Sequence, residues 1–205
     1  MTETSPPTHP APPTSVRVVE YEQRHRGAFA DLNVEWITTH FLLEDVDRKV
    51  LDDPEGAILR PGGCILMAED GDRIVGCCAL IRIAPHAFEL AKMAVTPAAR
   101  GKGIGMLLGR AAVERALKLG ARRVELLSNT LLQPALGLYR KLGFVEVPLG
   151  PTEYRRANIK MVLQLECRSP IRCGHAWRQP VARETTERHN SQAIFPISEP
   201  TRSKP

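Results

Sequence analysis

The period of apolar and polar positions changes several times along the chain, and each change marks an element. Val16 to Tyr21 alternates and predicts a first strand. Arg24 to Ile37 places Ala28, Leu32 and Ile37, with Phe29 and Trp36 beside them, at helical spacing. Glu44 to Leu51 predicts a short polar helix that Asp52-Asp53-Pro54 ends. Gly63 to Glu69 and Arg73 to Ile83 read as strands joined at Asp70-Gly71, a hairpin signal. Phe88 to Val95 is a fourth strand. Met106 to Leu119 is a long helix stopped by Gly120. Arg123 to Ser128 is a fifth strand, Leu132 to Leu142 a helix, and Phe144 to Val147 and Asn158 to Leu165 the last strands. No internal repeat is visible.

These elements occupy residues 16–166 of 205, a single domain with a tail at each end. Residues 1–15 hold five prolines and almost no large apolar side chain, and residues 167–205 lose all periodicity. Both tails are expected to be disordered. The formal charge of +5 comes mostly from the basic C-terminal tail, where seven Lys/Arg face three Asp/Glu. Residues 1–166 carry 21 Lys/Arg and 20 Asp/Glu, so the domain gives no bulk electrostatic case for nucleic acid. No run approaches the ~20 apolar residues of a membrane span. The Pro-rich start lacks the pattern of a signal peptide, so no membrane association is expected.

Cysteines stand at 64, 77, 78, 167 and 173, an odd number without a disulfide framework. Cys77 and Cys78 fall on opposite faces of one strand, and reduced thiols in a cytoplasmic protein are expected. Cys167 with Cys173-Gly174-His175 is half a zinc site at most, because no second ligand pair follows. No metal is expected.

The most informative stretch is Arg100-Gly101-Lys102-Gly103-Ile104-Gly105, between a strand with its Thr96-Pro97 breaker and a helix. Glycines let a phosphate approach the backbone, and the free N–H groups of a helix start favour an anion. Arg100 and Lys102 add two cations. The stretch is read as a diphosphate site. A P-loop would need Ser or Thr after the lysine, where this chain has Gly103. A dinucleotide fingerprint would need a third glycine where Met106 or Leu108 stands.

Arg-x-x-Gly-x-Gly after a strand resembles the pyrophosphate loop of the GNAT superfamily of acetyl-CoA-dependent N-acetyltransferases. Downstream, Asn129 follows a strand, and Leu136-Gly137-Leu138-Tyr139-Arg140-Lys141-Leu142-Gly143-Phe144 closes a helix and starts another strand. Asn, a short helix with Tyr, then Leu-Gly-Phe is similar to the second signature of that superfamily. The resemblance spans about Val16 to Leu165 and looks closest to small bacterial-type members. It implies an α/β fold with a mixed, mostly antiparallel central sheet flanked by helices. It also implies acetyl transfer from acetyl-CoA to a primary amine of a small molecule or peptide, by direct attack in a ternary complex.

The resemblance assigns roles residue by residue. Met93 and Val95 would bind the pantetheine arm and thioester through main-chain atoms, where the central strand splays from its neighbour. Arg100 to Gly105 would hold the diphosphate. Asn129 would hydrogen-bond pantetheine or a water, although a turn residue bonded to local backbone is the alternative. Tyr139 would be the general acid at the departing thiolate. Glu89 is the candidate base, against the alternative of a strand-end glutamate facing water. Relatives often carry an acidic residue where this chain has Leu127; its absence shifts deprotonation to Glu89 or weakens the activity, and many members of the superfamily use water with no dedicated base.

Trp36, His40, Phe41 and Tyr154 are expected to wall the acceptor pocket. The acidic stretch Glu44 to Asp53 reads as a solvated helix face or as an acidic rim that would favour a cationic amine, while Tyr154, Arg155 and Arg156 read as contacts for a carboxylate-bearing acceptor, and the two cues leave the acceptor open. A covalent acyl-cysteine route is weaker, since no histidine is spaced to activate Cys64, Cys77 or Cys78. A non-catalytic acyl-CoA-binding regulatory module on the same fold is the main alternative. The protein is expected to be a monomer or homodimer.

Overall fold

The computed structural model describes residues 16–165. The expected tails and the Cys167/Cys173-Gly174-His175 reading lie outside the described residues. Seven strands form one sheet: β1 (Arg17–Glu20), β2 (Cys64–Asp70), β3 (Arg73–Ala84), β4 (Ala87–Val95), β5 (Arg123–Ser128), β6 (Val145–Val147) and β7 (Ile159–Gln164). Their order is β1-β2-β3-β4-β5-β7-β6. The helices are α1 (Arg26–His40), α2 (Asp45–Asp52), α3 (Ile104–Lys118) and α4 (Gln133–Lys141). Every pairing is antiparallel except β4 with β5, which the crossover through α3 makes parallel. The mixed, mostly antiparallel sheet flanked by helices is the architecture the sequence implies.

Both faces of the sheet are covered, which explains why β2 and β3 read as nearly continuous apolar runs. Leu66, Cys78, Leu80 and Phe88 pack with Leu108 of α3 on one face. Ile65, Met67, Cys77 and Ala79 pack with Phe29 of α1 on the other. Alternation along the strand therefore sends adjacent Cys77 and Cys78 into different cores.

One element escapes the sequence reading. After α2, Glu55–Leu59 forms a π-helical turn. The Asp53 carboxylate receives the Gly56 N–H at 2.9 Å and the Arg60 guanidinium at 2.8 Å, and Ile58 plugs the turn into the α1-side core. Local polar bonds and one buried side chain hold it, so no periodicity announces it. α1 also runs three residues past the expected Ile37, to His40.

The sheet divides at its centre. β4 and β5 pair only at Ala87/Arg123, Phe88/Val124 and Glu89/Glu125. Beyond Glu89, β4 stays with β3 to Val95, while β5 stays with β7 to Ser128. The splay thus opens earlier than the expected Met93–Val95. Within the open stretch the β3–β4 register slips between Cys77 and Ala79, and Lys92 adopts a left-handed φ of 51°. This bulge inserts one extra residue on β4 and turns the lysine out of the alternation.

An ion cluster spans the gap. Lys92 Nζ donates to Asp47 Oδ1 at 2.7 Å, and Arg156 grips both Asp47 oxygens at 2.6 and 2.8 Å. Arg156 also donates to Glu44 at 3.1 Å, and Glu44 receives the backbone N–H groups of Arg155 and Arg156. Asp47 is fully buried, so the acidic stretch is not simply a solvated face. Burial opposes ionisation of Asp47, but hydrogen bonds from Arg156 and Lys92 hold its carboxyl below the usual range. The loop between β6 and β7 is thereby tied to α2 and to the β4 bulge.

Removing the shared anion leaves two cations in a dry site. Asp47→Asn is expected to lower unfolding free energy by about 3–5 kcal/mol, measured by urea denaturation at neutral pH. A loss below ~1 kcal/mol would mean that the cluster does not fix the gap.

Candidate active site

The divided sheet opens into a cleft of about 880 Å³. One wall is the edge of β4 from Glu89 to Val95, another is α4, and the floor at one end is the start of α3. The backbone at this edge is oriented by the sheet. Thr96 donates its N–H to Val75 at 3.0 Å on β3, so alternation turns the Val95 amide toward the cleft. The Val95 carbonyl is taken by Arg100 Nε at 3.2 Å. The Met93 and Val95 side chains pack against the α3-side core. Both remain partly exposed on the cleft wall.

The loop from Arg100 to Gly105 has the conformation its glycines predict. Gly101 and Gly103 sit at φ 77° and 80°, the left-handed region, and Gly103 caps α3. The buried Ile104 side chain anchors the first turn, and residues 103–106 line the cleft. A Cβ on Gly105 would come within 2.9 Å of Leu138 Cδ1, so that glycine sets how closely α4 approaches α3. Lys102 faces a smaller neighbouring depression and is not a wall of the main cleft.

Tyr139 on α4 reaches the same cleft, stacked edge-on against Phe144 at 6.1 Å. Burial, with Cys78 nearby, pushes its phenol up to about 12. The hydroxyl has no hydrogen-bond partner among the described residues. Asn129 also lines the cleft, but both polar ends of its side chain are engaged. Its Nδ2 donates to the Arg156 carbonyl at 2.6 Å, and its Oδ1 receives the Leu131 N–H at 2.9 Å. It braces the 152–157 loop, the backbone-bonded alternative noted for it above.

Trp36, His40, Phe41 and Tyr154 also line the cleft. Trp36 meets Phe41 edge-on at 6.4 Å, and its indole donates to Asn33 at 3.3 Å. Tyr154 lies under two cations, Lys92 at 5.2 Å and Arg156 at 4.8 Å from its ring centroid. Its hydroxyl accepts from Lys92 at 3.2 Å. Arg156, expected to meet a substrate carboxylate, is committed to Asp47 and Glu44 instead.

Glu89 stands on the same cleft wall, half-buried and with no hydrogen bond or ion pair among the described residues. Burial raises its carboxyl above the usual range. Lys92 acts in the opposite sense, and Glu125, its neighbour across the parallel pair, adds to the rise. Glu125 itself is held by Lys160 at 2.8 Å. Cys77 and Cys78 are fully buried, and burial drives both thiols upward, Cys77 to about 12, which leaves no thiolate to carry an acyl group.

Sequence reasoning missed Lys92, Asp47 and Arg156 as one unit. A lysine inside an apolar strand was one available signal. The other was Asp47 standing four residues before Leu51, on the same inward helical face. No group of three or more His, Cys, Asp or Glu among the described residues is arranged to hold a metal. No described helix is long and apolar enough to cross a membrane.

Comparison with known proteins agrees with this geometry. Residues 61–146 match the family model described as an acetyltransferase (GNAT) domain. The chain is 37% identical over 79 residues to the uncharacterized N-acetyltransferase YjgM of Escherichia coli, covering 38% of this chain and 47% of that one. It is 33% identical over 103 residues to the uncharacterized N-acetyltransferase YvbK of Bacillus subtilis, covering 50% and 63%. The alignments thus span about half to two-thirds of these relatives. A GNAT-family acetyltransferase from Staphylococcus aureus superposes with a TM-score of 0.69 at 21% identity, over 74% of this chain and all of that one. The Salmonella typhimurium protein yncA, solved with acetyl-CoA, superposes with a TM-score of 0.62 at 20% identity, over 78% and 99%. Over residues 61–146 the chain is thus similar to GNAT-family acetyltransferase domains, and its fold is theirs.

Proposed function

We propose that this domain moves an acetyl group from acetyl-CoA to a primary amine, by direct attack in a ternary complex. The observation that carries the reading is the parting of β4 and β5 after Glu89, which leaves a backbone edge facing a cleft that ends on a glycine-rich helix start. That combination suits a long thioester ligand with a diphosphate. The Val95 amide is oriented toward the pantetheine and thioester carbonyl, and the first turn of α3 toward the diphosphate. Two solved neighbours, from Salmonella typhimurium and Bacillus subtilis, hold acetyl-CoA and CoA respectively, and share the fold.

Acetyl-CoA supplies an acyl carbon activated as a thioester. Glu89 takes one proton from the acceptor ammonium, freeing the nitrogen lone pair. The C–N bond then forms at the thioester carbonyl as the C–S bond breaks. Tyr139 gives its phenolic proton to the departing thiolate; its hydroxyl is unpartnered among the described residues, and burial keeps it protonated until the thiolate charge develops beside it. The second amine proton passes to solvent as the amide forms, and solvent then reprotonates the Tyr139 phenolate and takes the proton from Glu89. The acceptor is a small-molecule or peptide amine.

Acetyl-CoA at ~100 times its dissociation constant is expected to stabilise the protein by about 2.7 kcal/mol, read by thermal denaturation. Tyr139→Phe is expected to keep that shift while lowering kcat by about 10²–10⁴-fold. Absence of the shift removes the reading, and unchanged turnover in the variant removes Tyr139 as the acid.

Glu89→Gln separates catalysis from stability. A carboxyl whose folded pKa is raised stabilises the fold below its unfolded pKa, and that contribution is lost as pH rises through the folded value. At pH 8 the ionised Glu89 is therefore a burden. The glutamine variant is expected to melt higher than the parent there, with the gain vanishing below about pH 4.3. Its kcat/KM should fall, and the acidic limb of the pH–rate profile should disappear. A variant with an unchanged acidic limb would assign the base elsewhere.

A further inference from the structure

The charges at the acceptor end close on themselves, and that balance points to the class of acceptor. Two cations face this end from the fold, Lys92 on β4 and Arg156 on the loop before β7. Both are met by carboxylates: Lys92 by Asp47 at 2.7 Å, and Arg156 by Asp47 at 2.6 Å and Glu44 at 3.1 Å. Two positive and two negative charges thus cancel inside the wall. Glu89 is left over. It has no cation within ion-pair distance among the described residues, and its charge couples to the Tyr154 phenol beside it. The same cleft is lined by aromatic rings: Tyr154, which already meets Lys92 and Arg156, and the edge-packed pair Trp36 and Phe41, whose faces carry no cation among the described residues.

We infer that the acceptor is a cationic amine with an apolar or aromatic body and no carboxylate beside the reacting nitrogen. The inference rests on the proposed acetyl transfer and narrows its substrate. An ammonium gains from the Glu89 carboxylate and from ring faces that attract cations. A carboxylate on the adjacent carbon would be brought within about 6 Å of Glu89. The cations beside Glu89 are already committed, because drawing Lys92 or Arg156 to the new carboxylate would strip Asp47 of a partner in a dry site, and Arg100 and Lys141, which have no ion pair among the described residues, stand on the glycine loop and on α4. Discrimination of this kind comes from repulsion as much as from attraction.

Three probes share one aromatic body and differ only in charge: phenethylamine, a cation; phenylalanine, a zwitterion; and 3-phenylpropanoate, an anion. Their binding to the full chain saturated with CoA is measured by calorimetry, which does not depend on turnover. Phenethylamine is expected to bind more tightly than phenylalanine by on the order of 100-fold, and 3-phenylpropanoate more weakly still. Glu89→Gln is expected to erase most of the preference of cation over zwitterion. Glu44→Gln keeps a hydrogen-bond acceptor for the loop but removes one compensating charge, and it is expected to improve binding of 3-phenylpropanoate. Equal affinities, a preference for either carboxylate, or binding of none of the three at millimolar concentration overturns the inference. If acetyl-CoA still stabilises the protein in those cases, the acetyl-transfer reading survives and only the acceptor class falls. If acetyl-CoA does not bind either, both fall.

Discussion

The cleft depends on two strands that run side by side for three residue pairs and then part. A sheet that opens at its centre exposes backbone groups that pairing would satisfy, so the opening must be held by something else. Here the Lys92–Asp47–Arg156 cluster holds it. Lys92 belongs to β4, Asp47 to α2, and Arg156 to a loop that Asn129 fastens to the end of β5. Apolar side chains would fill such a gap at least as stably, but they tolerate small displacements. Charges in a dry site demand their partners at set distances. The cluster therefore fixes the width of the gap, and with it the position of the β4 edge, the aromatic wall and the loop between β6 and β7.

The same region concentrates groups that the fold alone would not favour. Lys92 takes a left-handed backbone conformation, Glu89 is a half-buried carboxyl without a partner, and Tyr139 is a partly buried phenol whose hydroxyl finds no protein acceptor among the described residues. Each is costly, and all three line one cleft. The two apolar cores on either face of the sheet supply the stability that offsets them. Fold and chemistry are thus divided between layers: the cores hold the strands, and the strands carry the unfavourable groups to one seam.

The element order was legible in the chain because each element has a strong period or a strong stop. Gly120 after α3, Gly143 after α4 and the Asp70-Gly71 turn all act locally, so sequence reveals them. The glycine loop was legible for the same reason, since positive φ at Gly101 and Gly103 is a local demand. The π-helical turn was not, because a buried Ile58 and the Asp53 side chain hold it rather than any repeat. The ion cluster was not, because its members are separated by 45 and 109 residues and meet only through the fold. Asp47 read as surface and Arg156 as a substrate contact, for want of knowing that each answers the other. Asn129 fell between, with the turn chemistry visible and its hold on Arg156 not.

The central claim is that the β4 edge released by the splay, together with the first turn of α3, is where acetyl-CoA lies. Amide hydrogen exchange with and without acetyl-CoA tests it residue by residue. The account predicts slowed exchange confined to Leu90–Val95 and to residues 100–107, with β2 and β3 unchanged. Protection that leaves the β4 edge untouched, or that appears only outside the cleft, would contradict it.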